Sequence, residues 1–301
     1  MDKKKANLFH LENLEISNRS TEFKIDNELL YSDENGYETY VCPVEVNKGP
    51  QVTYKLNKDG FRSENFETLK ESNLNVLISG CSYTYGQGVF QENSWVELFS
   101  KSIGLTSSKP VKMYNLGIMG ASIYLIIKNL MAFIRKYGAP DQIYLLLPPY
   151  SRKLIYDEAY DNFKSVVMNK HQYKELVHKK NASIKRFYDS YCEEDSLLFA
   201  TTLMGIFENF CEAKNIDLIW TSYGTIANDD VYSASGFKFY KQYVAPESEL
   251  YANNKTFLHL IPENKDGIPH WEIGADGDHP GAAWHQDIAK MFFDFKNEDL
   301  K

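Results

Sequence analysis

The sequence lacks several patterns by which common protein classes are recognised. Its four cysteines form no Cys-x-x-Cys pair and have no histidines at metal-ligand spacing, so we predict free thiols and neither a zinc site nor a disulfide framework. No apolar run approaches the roughly 20 residues of a membrane span. The formal net charge of -8 is opposite in sign to that of most proteins that bind nucleic-acid duplexes, so no nucleic-acid partner is expected.

A secretory signal is also missing. Residues 1–5 (MDKKK) are basic, but no apolar stretch follows them, as it would in such a signal. Together with the free thiols, this predicts a cytoplasmic protein. The 301 residues are 43% hydrophobic and 25% charged, which is a globular composition with ample material for a buried core.

Residues 75–88 carry the clearest functional pattern in the sequence. A short apolar run, Val76 to Ser79, leads into a turn in which Gly80 and Gly86 bracket Ser82. This order predicts a buried strand, a turn and a helix. Such a turn exposes the serine above the end of a parallel sheet, beside helix-start amides, as a nucleophile requires. The spacing is Gly-x-Ser-x-Thr and therefore differs from the Gly-x-Ser-x-Gly elbow of α/β-hydrolases.

Strands and helices alternate along the rest of the chain. Apolar runs predict strands, and helical spacing predicts helices, in this order: helix 94–103, strand 111–115, helix 123–137, strand 143–147, helix 197–214, strand 216–223 and helix 282–295. This alternation predicts a three-layer α/β/α fold, in which helices cover both faces of a mostly parallel central sheet.

Two segments lie outside the alternation. Residues 1–73 contain short alternating runs interrupted by prolines, which predicts a β-containing extension packed on a main domain of residues 74–301. Within the extension, residues 57–62 (NKDGFR) have the composition of a turn. Residues 151–192 are richer in Lys and Arg than in Asp and Glu. We interpret them as a helical insertion with a solvated face, and a cap that attracts anionic substrates is the alternative.

A glycine-rich loop near the carboxyl end carries Asp276, Asp278 and His279. An acid three residues before a histidine suits a general base, here acting on Ser82, and the carboxylate that orients it. Taken alone, the pair is a weak signal, because a loop histidine is more often held by local hydrogen bonds. Asp278 ranks below Asp276, since a residue adjacent to His279 reaches the imidazole poorly. A metal site is disfavoured, because no second ligand cluster accompanies this loop.

Three blocks together resemble the SGNH hydrolases, also called GDSL esterases and lipases. Residues 80–88 (GCSYTYGQG) resemble the first block of that family, residues 115–122 (NLGIMGAS) the second, and residues 276–280 (DGDHP) the last. Residues 57–62 are similar to a segment found upstream in some members. The resemblance implies the flavodoxin-like SGNH fold and a hydrolase without a cofactor.

The resemblance also implies roles for individual residues. Ser82 corresponds to the nucleophile, His279 to the base and Asp276 to the orienting acid. The backbone N–H groups of Ser82 and Gly120 correspond to donors of the oxyanion hole, with Gly117 as the second choice for the glycine.

One block of the family is altered in this sequence. The third block places an asparagine in a Gly-x-Asn-Asp turn, where its amide completes the oxyanion hole, but residues 147–152 read LPPYSR. Losing one such donor costs on the order of 2.7–4 kcal/mol of transition-state stabilisation. Three outcomes are open: Tyr150, Ser151 or Arg152 replaces the donor, the hole has two donors, or the site is slow or inactive.

Two functional hypotheses follow. The first is a serine esterase that hydrolyses small acyl esters such as acetyl groups, including those on carbohydrate, through an acyl-enzyme. The second is a catalytically weak or inactive SGNH-like module that binds glycans or has a structural role. Divergent chains of this kind, without a leader and with the altered third block, resemble members encoded by bacteriophages.

Overall fold

The computed structural model describes residues 29–41, 52–157, 162–166, 193–222 and 279–298. The strands in these ranges are β1 Leu29–Ser32, β2 Glu38–Val41, β3 Thr53–Leu56, β4 Leu74–Gly80, β5 Val111–Asn115, β6 Gln142–Leu147, β7 Lys153–Asp157, β8 Asn162–Val166 and β9 Asp217–Ser222. The helices are α1 Ser82–Tyr85, α2 Trp95–Thr106, α3 Ile123–Tyr137, α4 Glu193–Ala213 and α5 Ala282–Glu298, and a 3₁₀ turn spans Gln91–Asn93.

The central sheet has four parallel strands in the order β5-β4-β6-β9. Taken in chain order, the first strand lies between the second and the third, which is the flavodoxin-like arrangement. The chain leaves β4 toward β5 on one side and later crosses to β6 on the other. Ligands of such sheets bind at the carboxyl ends of the strands, where the direction of winding reverses. That point lies directly after β4.

Helices cover the sheet in two layers. Right-handed crossovers place α2 on one face, and they place α3 and α4 on the other, because the chain moves across the sheet in opposite directions before and after β5. The contacts agree with this, since α2 packs against α5 and α3 packs against α4. The predicted α/β fold with three layers and a parallel sheet is therefore confirmed. Among the described residues, none of the helices combines the length and apolar composition that a membrane crossing would need.

The helix ends follow from capping residues. Ser122 precedes α3, and its side chain accepts the N–H of Leu125 at 3.3 Å. Gly138 ends this helix at a φ of +106°, a conformation that residues with a Cβ rarely adopt. Ser94 caps α2 in the same way as Ser122 caps α3. For this reason α2 and α3 begin and end within a few residues of the predicted helices.

A second sheet precedes the central one. Strands β1, β2 and β3 are antiparallel and lie in chain order. Their buried side chains Tyr40, Tyr54 and Leu56 form a cluster with Tyr85 of α1. The predicted turn at residues 57–62 follows β3 directly, and in it Asn57 Oδ1 accepts two backbone N–H groups.

The prediction of a helical insertion is wrong at its beginning. Residues 153–157 and 162–166 form β7 and β8, an antiparallel hairpin, instead of helix. The two runs read KLIYD and NFKSV, and their β-branched and aromatic residues favour strands. The excess of Lys and Arg over Asp and Glu is a property of the whole segment 151–192 and carries no information on these two five-residue strands. The remainder of the predicted insertion, 167–192, lies outside the described residues.

Candidate active site

Ser82 stands where the topology predicts a ligand site. It is the first residue of α1 and follows the end of β4 by two positions. Its own N–H belongs to the first turn of the helix, where no carbonyl four residues earlier is available to it. The residue is 6% exposed, and its Oγ lies 3.7 Å from Cys81 Sγ. The serine is thus held at the N-terminus of α1, beyond the carboxyl end of β4.

Gly80 allows β4, β6 and α1 to meet closely. A Cβ at this position would lie 2.1 Å from Thr84 Oγ1 and 2.5 Å from the carbonyl oxygen of Leu146. Real Cβ atoms do not approach other atoms so closely. The glycine before the serine is therefore a steric requirement of the fold at this point.

The second sequence block, residues 115–122, packs against α1, the helix that begins at Ser82. A Cβ at Gly117 would lie 2.5 Å from the backbone nitrogen of Tyr85. Asn115 fixes this approach from both sides, because its Nδ2 donates to the Thr84 carbonyl at 3.0 Å and its Oδ1 accepts the Gly117 N–H at 2.8 Å. The N–H of Gly117 is consequently already used within the loop.

Gly120 lies in a turn of different character. The Ala121 N–H donates to the Ile118 carbonyl at 3.1 Å, and Gly120 has a φ of +70°. Glycine is favoured at such a position of a turn. No described atom lies within 4 Å of a Cβ built on Gly120, and the residue is exposed. Of the two glycines proposed for the oxyanion hole, Gly120 is therefore the one on open space.

The altered third block contacts this same turn. Arg152 Nη1 donates to the Ala121 carbonyl at 3.2 Å. Tyr150 is buried in the main core, whereas Ser151 and Arg152 are partly exposed. Among the three candidate substitute donors, the structure brings Arg152 beside the Gly120 turn.

His279 reaches the serine helix from the carboxyl-terminal loop. Its ring meets the ring of Tyr83, the residue after Ser82, edge to face at 5.7 Å between centres. Trp284 of α5 packs on Tyr83 at 5.1 Å, so Tyr83 contacts both residues. Asp276 and Asp278 lie outside the described residues. Within the described ranges, no three His, Cys, Asp or Glu side chains are grouped so that they could hold a metal ion.

His285 was not singled out by the sequence analysis. It is fully buried on α5, and its Nδ1 accepts the backbone N–H of Trp95 at the start of α2, at 3.1 Å. Burial lowers the pKa of His285 to about 3, and the charges of Arg62 and His279 add to the effect. The neutral imidazole therefore ties α5, just after His279, to α2. A histidine inside an amphipathic helix gives no sequence signal of such a contact.

Comparisons with known proteins find similarity in structure only. Comparison by sequence with protein-family models and with curated proteins finds no match. A psychrotrophic esterase from Pseudoalteromonas sp. is similar over 75% of this chain and 98% of its own, with 14% identity and a TM-score of 0.42. A GDSL-like lipase from Bacteroides thetaiotaomicron is similar over 79% and 93%, with 14% identity and a TM-score of 0.36.

A third solved structure is a two-domain esterase active on acetylated mannans. It is similar over 75% of this chain and 50% of its own, with 15% identity and a TM-score of 0.33. At such identities, a functional conclusion depends on the residues of this chain.

Proposed function

We propose that this chain is a serine esterase of the SGNH type that hydrolyses small acyl esters. The observation that carries the proposal is that two segments distant in sequence meet on the short helix that Ser82 begins. Ser82 begins α1, the Gly117 loop packs on the backbone of α1, and the ring of His279 contacts Tyr83 within α1. A nucleophile, backbone amides and a base are what acyl transfer needs in one place.

The proposed reaction has two half-reactions. His279 removes the proton of Ser82 as Oγ attacks the ester carbonyl carbon, and the imidazolium then gives this proton to the departing alcohol. Water attacks the acyl-enzyme with the same base and releases the acid and free Ser82. In this proposal Asp276 accepts a hydrogen bond from the imidazole and stabilises its charged form.

The negative oxygen of the tetrahedral intermediates requires donors that are already in place. We assign the N–H groups of Ser82 and Gly120 to this role, because the N–H of Gly117 is already bonded to Asn115. Arg152 is the third donor in the proposal. Its guanidinium already bonds the carbonyl of Ala121, next to Gly120, and a guanidinium carries five N–H groups.

Acetyl esters are the first substrates to test, on p-nitrophenol and then on carbohydrate. Release of p-nitrophenol is followed for the wild type and for Ser82→Ala. We expect turnover by the wild type and a loss of about 10³-fold or more in kcat for the variant, since the nucleophile is removed. A fluorophosphonate should label the wild type on the peptide that contains Ser82.

Matched variants separate the proposed roles. Ser102→Ala is the control for the serine, because its hydroxyl donates to the Leu98 carbonyl inside α2. His279→Gln should lose activity as Ser82→Ala does, and Asp276→Asn should lose far more activity than Asp278→Asn. Equal background rates for the wild type and Ser82→Ala would contradict the esterase and leave the binding module as the working hypothesis.

A further inference from the structure

Arg62 lies beneath the loop that follows α1. It is 3% exposed, and its Nη1 donates to the carbonyls of Gly86 at 2.6 Å and Tyr85 at 3.4 Å, while its Nη2 donates to that of Val89 at 2.9 Å. Its guanidinium carbon lies 4.8 Å from the centre of the Tyr54 ring, within cation–π range. One buried cation thus fixes several carbonyls of a single loop.

The same loop holds the main chain of the proposed nucleophile. The N–H groups of Gly86 and Gln87 donate to the Ser82 carbonyl at 2.9 and 3.0 Å. Gly86 ends α1 with a φ of +77°, and a Cβ there would lie 3.0 Å from Arg62 Nη1. A shift of this loop would therefore move the backbone of Ser82 and turn its Oγ.

Strand β3 supplies a second contact to the loop. The Gly88 N–H donates to the hydroxyl of Tyr54 at 2.8 Å, and the Tyr54 ring meets that of Tyr85 edge to face at 5.2 Å. Tyr40, on the neighbouring strand β2, is equally buried. Its hydroxyl instead donates to the carboxylate of Glu38 on its own strand.

We propose that Arg62 and Tyr54 are positioning residues for Ser82. They act through the loop of residues 86–89, so the antiparallel sheet before the central one contributes to the geometry of the active site. The inference rests on the proposed function, because it takes Ser82 as the nucleophile. Misplacing a reacting group by about 1 Å can cost about 100-fold in rate, so the effect is expected in kcat and not in KM.

The test compares Tyr54→Phe with Tyr40→Phe, the same substitution at two buried positions of one sheet. With p-nitrophenyl acetate we expect Tyr54→Phe to lower kcat about 3- to 10-fold with KM within about twofold, and Tyr40→Phe to leave both within about twofold. Hydrogen–deuterium exchange of the peptide 82–89 should speed up in Tyr54→Phe only. Arg62→Lys, which keeps the charge but not the planar fork, should retain more activity than Arg62→Met.

The outcomes separate this inference from the proposed function. An active wild type in which the two Phe variants have equal kcat and equal exchange at residues 82–89 overturns the positioning role alone. A wild type without ester turnover overturns the proposed function, and the positioning role with it. If Arg62→Met does not fold, the Tyr54→Phe and Tyr40→Phe pair still decides, because each keeps its ring in the packed cluster.

Discussion

The candidate site has a buried side and an open side, which are built differently. The buried side consists of residues enclosed by other elements: Gly80, Gly117 and His285. The open side consists of residues with solvent-facing surface: Gly120, Arg152 and His279. On the buried side, added atoms would clash with backbone and polar groups bond backbone amides. On the open side, no described atom lies within 4 Å of a Cβ built on Gly120.

This difference indicates a division of labour. Residues enclosed by backbone have little room to respond to a substrate, so they determine where Ser82 stands. Residues with open space can contact a substrate and change partners during a reaction. Substitutions on the buried side should therefore reduce the free energy of unfolding, and those on the open side should reduce turnover without unfolding the protein.

The largest effect is expected on the open side, at Arg152. If its guanidinium replaces the missing asparagine, Arg152→Met should lower kcat by about 10²–10³-fold with a small change in KM, as loss of an oxyanion donor does. The midpoint of urea unfolding should stay near that of the wild type. Ser151→Ala is the matched control and should keep its activity. An equal loss of kcat in both variants would show that the activity depends on the conformation of the loop and not on the Arg152 guanidinium.

The second effect compares the two glycines of one loop. Gly117→Ala places a Cβ 2.5 Å from the Tyr85 nitrogen, so α1 must move, and we expect a loss of about 1–3 kcal/mol in the free energy of unfolding. Gly120→Ala meets no described atom and carries only the strain of a positive φ, about 1–2 kcal/mol. Urea unfolding and kcat are measured for both. A larger loss in the free energy of unfolding for Gly120→Ala than for Gly117→Ala would break the proposed division.

The third effect concerns pH and His285. Its pKa is lowered from 6.5 to about 3 in the folded protein, chiefly by burial. As the pH falls below about 6.5, the imidazole of His285 binds a proton in the unfolded chain but not in the folded chain. His285 therefore lowers the free energy of unfolding by about 1.4 kcal/mol per pH unit until about pH 3. Urea unfolding at pH 7, 6, 5 and 4 measures this slope. His285→Asn, which keeps an acceptor for the Trp95 N–H, should flatten the slope. An unchanged slope would contradict the assignment.

The central sheet and its flanking helices could be predicted because their signals are local. The bounds of α3 follow from Ser122, Gly138 and the apolar spacing between them, and β6 is a short apolar run with a clear end at Pro148. The hairpin of β7 and β8 was missed because each strand is only five residues long and lies in a charged segment. Local composition decides such short elements poorly.

The site could be predicted only in part, for a related reason. Ser82 and the two glycine blocks stand in recognisable order along the chain. The contacts of Arg62 and His285 could not be predicted, since their partners are backbone groups of distant residues, and backbone groups carry no side-chain signature. Arg152 is preferred over its two neighbours as the substitute donor because it bonds the Ala121 carbonyl. The sequence does not show this contact, since it depends on how two loops pack against each other.

The bonds of Arg62 also bear on how such chains can be recombined. A boundary drawn at residue 73 or 74 separates two sheets, but the guanidinium and the carbonyls of Tyr85, Gly86 and Val89 lie on opposite sides of it. Joining residues 74–301 to a foreign amino-terminal segment without an arginine at this place would take away the charged donor that these buried carbonyls share, which is costly. In a chimaeric protein, residues 52–89 should therefore come from the same parent.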